Sequence, residues 1–206
     1  MTDERAAEPE VGSGKRRALI LAAYARIASE GFEGLRTRDV AADAGVNIGT
    51  LHYYFPSKEA LIRAAVRHTT ATFATTLSGK GSPAEQLRDH LEGLRHLLKT
   101  DQELWAVSSE VALRAARDDA IAAMMRQADD QWYGFLRELI ARGVDQGCLH
   151  RDLDAEGAAA ALIAAIKGLS MPTMGTFRPE RIDQTIDQLE RWLGLHAATA
   201  ASRENA

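Results

Sequence analysis

The chain has 206 residues, 46% of them apolar and 26% charged, a composition that supports one large or two smaller globular units. Its longest apolar run, residues 157–166, is closed off by Glu156 and Lys167 and is too short to span a bilayer. The acidic start MTDERAAEPEVGSG offers no apolar segment as a secretion signal, and the single cysteine, Cys148, excludes an intrachain disulfide, so the expectation is a cytoplasmic protein with no membrane partner.

The net charge of -4 hides an asymmetry. Residues 15–68 carry nine Lys and Arg against five Asp and Glu, a net of +4, whereas residues 69–206 sum to -5 and residues 1–14 to -3. A basic module is joined to an acidic one.

Residues 1–14 read as a disordered tail. From Lys15 the apolar positions Ile20, Ala23, Ile27 and Ala28 recur at helical steps and end at Gly31, a natural terminator. Thr37 is placed to cap a short second helix through Ala44, and Gly45 supplies the tight turn after it. Asn47 is placed to cap a third helix that Pro56 stops, and Ser57 a fourth, SKEALIRAAVRHTTATFATTL. The stretch SGKGSP at 78–83 breaks that helix, so a first domain is expected over 15–77 and a second over 78–198, followed by a disordered tail at 199–206. Helical periodicity continues through AEQLRDHLEGLRHLL, DQELWAVSSEVALRAA, a long segment over 118–146, DAEGAAAALIAAIKGLS and PERIDQTIDQLERWLGL. No stretch alternates as a strand does, so the fold class is all-α.

Residues 36–55 form two short helices about a glycine turn, a helix-turn-helix that sets its second helix into a major groove. Leu51 and Phe55, four residues apart, share a face and pack inward on Val40, Ala41 and Val46, which leaves Thr50, His52 and Tyr53 facing out. An exposed tyrosine offers a hydroxyl to phosphate and a flat ring to sugar or a thymine methyl. Gly49 lets the backbone approach base edges closely. Tyr54 fits core and phosphate contact equally, and Lys15, Arg16 and Arg17 are either a solvated helix start or a source of salt-sensitive affinity.

TRDVAADAGVNIGTLHYYFPSKEAL resembles the DNA-binding signature of the tetracycline-repressor (TetR) family, and the resemblance runs from about Lys15 to Leu77. It implies an N-terminal three-helix helix-turn-helix domain joined by a linking helix to a C-terminal helical domain for ligand binding and dimerisation. It implies that Thr37 and Tyr53 contact phosphates, Arg38 reaches a base, Lys58 clamps the backbone at a helix start, and Asn47, Ile48, Gly49 and Thr50 lie at the groove. The chain departs from the family at His52, where tyrosine is more usual. The function implied is a ligand-responsive transcriptional repressor: a homodimer on a palindromic double-stranded operator, released by a small apolar or aromatic effector and needing no cofactor or metal.

In the second domain, Met124, Met125, Trp132 and Phe135 on the long helix, with His96, Trp105, Met171 and Met174, either line an effector cavity or form core; the stripe alone reads as core, and the resemblance shifts the reading toward a cavity. His96 or Asp129 would orient a polar group of the ligand. Ala158, Ala161, Leu162 and Ala165 form a small-residue face, and Ile182, Ile186, Leu189, Trp192 and Leu193 an apolar stripe; the resemblance implies that two copies of this helix pair make a four-helix dimer interface. The rival class is an all-helical enzyme or metal protein using CLHRDLD, where Cys148, His150, Asp152 and Asp154 offer ligands at a spacing that matches no zinc pattern. Ser108, Ser109 and Glu110 have no identifiable base beside them, so nucleophilic catalysis lacks support.

Overall fold

The computed structural model describes residues 8–77, 79–169 and 179–195. Among these residues the regular structure is helical: α1 (Glu8–Gly34), α2 (Thr37–Asp43), α3 (Ile48–Tyr54), α4 (Lys58–Ala74), α5 (Pro83–Thr100), α6 (Gln102–Ala115), α7 (Asp119–Asp145), α8 (Ala155–Leu169) and α9 (Pro179–Leu193). The N-terminal stretch expected to be a disordered tail is helical from Glu8 onward. Residues 1–7 and the expected tail at 199–206 lie outside the described residues.

Local chemistry sets most of the helix ends. The Asn47 side chain accepts from the Thr50 N–H at 2.8 Å and Ser57 from the Ala60 N–H at 3.1 Å, each satisfying an orphan donor of the first turn. At α5, Ser82 and Glu85 form a reciprocal capping box with Pro83 in the first turn. Thr37 does not cap α2: Arg36 holds the N-cap position in extended backbone with no side-chain cap bond, and Thr37 is the first helical residue.

Gly31 interrupts α1 at φ +69°, a left-handed conformation that L side chains rarely adopt. The carboxylate of Glu110 on α6 lies against this break and accepts from the Phe32 N–H at 3.4 Å. The bend that aims the chain toward α2 is therefore held from the other domain.

Two cores organise the molecule. The smaller gathers Leu19, Ala23 and Ile27 of α1, Val40 and Ala41 of α2, Leu51 of α3, Phe55, and Leu61, Ala65 and Val66 of α4. It is completed by Val107 and Val111 of α6 and Ile121 of α7, and α1 packs more extensively on α6 than on any other helix. The larger core joins Leu87, Leu91, Leu94 and Leu98 of α5, Leu136, Leu139 and Ile140 of α7, and the inner faces of α8 and α9. Helix α4 reaches both: Leu61 to Val66 belong to the first, and Phe73 packs against the second.

This arrangement redistributes the residues assigned from sequence to the C-terminal sites. Ala158, Leu162, Ile182, Ile186, Leu189 and Leu193 are buried within the protomer's own larger core, because the α9 stripe closes over α5. They are unavailable as a surface between copies. Ala165 is half-buried, while Ala161 and Trp192 remain exposed. The residues expected to line one cavity are divided: Met124 and Met125 pack on the smaller core, and Trp105, Trp132 and Phe135 on the larger. His96 is exposed, Asp129 pairs with Lys167, and Met171 and Met174 lie outside the described residues.

Candidate nucleic-acid interface

The turn between α2 and α3 is closed by the Gly45 N–H on the Ala42 carbonyl at 3.0 Å and the Val46 N–H on the Ala41 carbonyl at 2.9 Å. Gly45, at φ +65°, lets the chain reverse within two residues. The next helix is amphipathic in the expected sense: Leu51 and Phe55 are fully buried against Val40 and Ala41. Opposite them, Ile48, Gly49 and His52 are exposed, and Tyr53 is 81% exposed.

Thr50 is half-exposed, with its hydroxyl donating to Asn47 Oδ1 at 3.2 Å and its N–H to the same atom at 2.8 Å. The Asn47 side-chain oxygen is thereby committed to capping, while the Thr50 oxygen keeps lone pairs free to accept. Tyr54 falls on the inner side: it is half-buried against the smaller core, and its ring meets that of Tyr53 edge-on at 5.0 Å.

Beside this helix, the starts of α2 and α4 converge on a hollow lined by Leu35, Arg36, Thr37, Arg38, Asp39 and Lys58. Three cations and a hydroxyl, with Asp39 the one acid among them, line this open concavity, a composition suited to meeting anions. Thr37, Arg38 and Lys58 were singled out in the sequence. Arg36 was not, although its place immediately before α2 would have marked it had Thr37 not been taken for the cap.

Arg26 of α1 gathers acidic residues of the module, Asp39 at the edge of the hollow among them. It pairs with Glu30 at 2.9 Å, Asp39 at 3.6 Å and Asp43 at 2.6 Å. The Arg26 hydrogen bond holds the Asp43 carboxyl below the usual aspartate range. One arginine thus gathers three of the module's five carboxylates and ties α1 to α2. Arg16, its guanidinium 5.4 Å from the Phe55 ring centroid, stands next to the C-terminal end of α3. With Arg17, Arg67 and His68 it borders a groove between α1 and α4 floored by Ile20, Leu21 and Ala64.

The family model for bacterial regulatory proteins of the tetR family matches residues 19–65, and the model for the C-terminal region of BetI-type transcriptional repressors matches residues 83–197. The chain belongs to the TetR family. It is a DNA-binding transcriptional regulator, and members of this family are not enzymes. It is 29% identical to the transcriptional regulator BetI 1 of Chromohalobacter salexigens over 178 residues, covering 82% of each chain. It is 36% identical over 107 residues to the dual regulator CecR of Shigella flexneri, a match that spans 52% of this chain and 43% of CecR, less than half of that relative. A transcriptional regulator from Saccharomonospora viridis, solved in complex with choline, superposes with a TM-score of 0.68 at 25% identity, covering 87% of this TetR-family chain and 96% of that one.

The CLHRDLD segment has structural work of its own. Asp154 accepts from the Gly157 N–H at 2.8 Å at the start of α8, the His150 N–H donates to the Leu193 carbonyl at 3.2 Å, and Cys148 packs half-buried against the larger core. Among the described residues no three His, Cys, Asp or Glu side chains converge as a metal site would require. No helix among the described residues is long and apolar enough to cross a membrane.

The Arg26 to Asp43 pairing carries a defined pH signature. A depressed aspartate contributes stability above its unfolded value of about 3.9, and that contribution disappears as pH falls through the folded value. Arg26→Gln is expected to unfold at lower temperature than the wild type at pH 7, with the gap closing below about pH 3.9. Melting curves between pH 7 and 2.5 check this, and a gap that persists in acid would show a packing role instead.

Proposed function

We propose that the protein is a repressor that binds a palindromic operator as a homodimer and leaves it when a small molecule occupies the C-terminal domain. The observation that carries this reading is the pairing of a 81% exposed Tyr53 with the cationic hollow of Arg36, Thr37, Arg38 and Lys58 on one side of a fully packed head. An exposed ring beside three clustered cations suits a partner with phosphates and flat apolar edges. In this reading Lys58, Thr37, Arg36 and Tyr53 grip the backbone, and Arg38, Thr50, His52, Ile48 and the bare backbone at Gly49 face base edges. Asn47 acts through the helix end that it caps.

Replacing Lys58 with Ala is expected to weaken binding to specific and random duplexes alike by a similar factor, and to lower the salt slope of log K by about one. Replacing Arg38 or Thr50 is expected to change which sequence is preferred. Selection from a random duplex pool should return an inverted repeat with half-sites about 34 to 36 Å apart, or a multiple of that spacing. A single unsymmetrical motif would count against the two-fold arrangement.

The dimer surface proposed is the outer side of α8 and α9, which the protomer's own packing leaves uncovered: Ala160, Ala161, Ala164 and Gly168, with Trp192, 43% exposed, on the neighbouring helix. Small side chains permit close helix approach, and a large exposed aromatic is a frequent anchor of interfaces. Trp192→Asp is expected to convert the sedimenting species from dimer to monomer while the circular dichroism spectrum stays helical. An unchanged sedimentation profile would put the interface elsewhere.

For the effector, support comes from half-buried rings set against the larger core: Trp105, Trp132, Tyr133 and Phe135. Aromatic faces bind apolar, aromatic and quaternary-ammonium groups. The Saccharomonospora viridis relative holds choline, which makes choline the first ligand to try here, followed by small aromatic compounds. A true effector at 100 times its Kd adds about 2.7 kcal/mol, which raises the melting temperature of a chain this size by about 5 °C or more, and it should release the operator at the same concentration. A panel that moves neither quantity would favour a regulator controlled by its abundance or by a protein partner.

A further inference from the structure

We propose that His90 is the positioning residue that couples α7 to the exit turn of α4, and so makes the state of the aromatic cluster felt by the DNA-binding head. The inference rests on the regulatory reading above for its consequence, though not for its geometry. His90, on α5, is 2% exposed and was not among the residues marked from sequence. Both of its ring nitrogens are occupied. Nδ1 lies 2.7 Å from the Thr76 hydroxyl, and Nε2 accepts from the Trp132 indole N–H at 3.0 Å.

The direction of these bonds follows from counting protons. The single Thr76 hydroxyl proton goes to the Phe73 carbonyl at 2.7 Å, so the Thr76 oxygen accepts from His90, and Nδ1 must carry a hydrogen. The indole can only donate, so Nε2 must present its lone pair. One arrangement satisfies all four groups: a neutral imidazole protonated at Nδ1. Burial supports it, pushing the imidazole down to about 4 against a smaller upward pull from Thr76.

The relay therefore runs Trp132, His90, Thr76, Phe73, from α7 across α5 to the end of α4. Slack is small at its α4 end. A Cβ built on Gly93, three residues after His90, would lie 2.9 Å from Thr76 Cβ and Cγ2, so the α5 backbone abuts the exit turn directly. The Trp132 ring also meets the imidazole edge-on at 5.9 Å, so the two rings shift together. Trp132 is half-buried and keeps an accessible side. A molecule that draws the indole N–H away would leave Nε2 buried and unpaired, a costly state relieved by moving the imidazole, and the Thr76 turn with it. Because α4 also carries Leu61 to Val66 in the core of the head, displacement at its exit is felt at Lys58 on its first turn.

The test uses the full chain and the variants Trp132→Phe, Thr76→Val and their double. In histidine-labelled wild type, nitrogen NMR at pH 7 should show His90 protonated at Nδ1 and bare at Nε2; the other tautomer or an imidazolium would overturn the proposal. Hydrogen exchange at residues 73–77 should rise by about tenfold in Trp132→Phe, which does not touch that turn, and no further in the double variant. An effect confined to α5 and α7, or effects that multiply, would overturn it. Operator Kd should change by threefold or more in Trp132→Phe, with Thr76→Val masking the change, and an unaltered Kd would remove the coupling to the head. A wild type that selects no operator would sink the DNA reading, while the exchange measurement still decides the relay. Should Trp132→Phe fail to fold, His90→Gln takes its place, since it keeps an acceptor for the indole but cannot donate to Thr76 from the Nδ1 position; exchange at 73–77 must then rise by about tenfold, and no rise would overturn the relay.

Discussion

Everything in this molecule depends on one helix belonging to two hydrophobic cores. The N-terminal half of α4 is fixed by Leu61, Ile62, Ala65 and Val66 among α1 to α3, and its C-terminal end by Phe73 and the Thr76 turn against the larger core. Close-packed interiors do not deform continuously, so a change at one end moves the rod as a body. The head is also incomplete without its neighbour, since Val107, Val111 and Ile121 close its core and Glu110 holds the break at Gly31. The two expected domains are therefore distinct in charge but continuous in packing.

Charge is handled locally. The basic module carries only a small net excess, yet Arg36, Arg38 and Lys58 cluster around Thr37 with Asp39 the one acid in the hollow, while Arg26 engages Glu30, Asp39 and Asp43. The overall acidity of the chain is then no obstacle to binding a polyanion, because screening limits the reach of the distant carboxylates to about 10 Å at ordinary salt.

Local signals in the sequence found most of what is local in the structure. Periodicity located the helices, and Asn47 and Ser57 cap where their chemistry said they would. The inward pair Leu51 and Phe55 followed from spacing alone. What the sequence did not disclose is which of several apolar faces meets which. The stripe of α9 looked like a surface between copies because an amphipathic helix does not say whether its apolar side faces its own chain or another. It lies on α5, and the same ambiguity divided Met124 and Met125 from Trp105 and Trp132. His90 was invisible for a related reason: a histidine among leucines gains meaning only from partners 14 and 42 residues away.

The exposed face of α8 has a further consequence. Ala160, Ala161, Ala164 and Gly168 present methyl groups and bare backbone, a surface that fits almost any similarly smooth helix. If it joins two copies as proposed above, such a face carries no address of its own. Under the pairing proposed here, fidelity would fall to the polar border of α9, where Gln184, Gln188 and Arg191 stand exposed near Trp192, and drift at those few positions would be enough to separate two newly duplicated regulators.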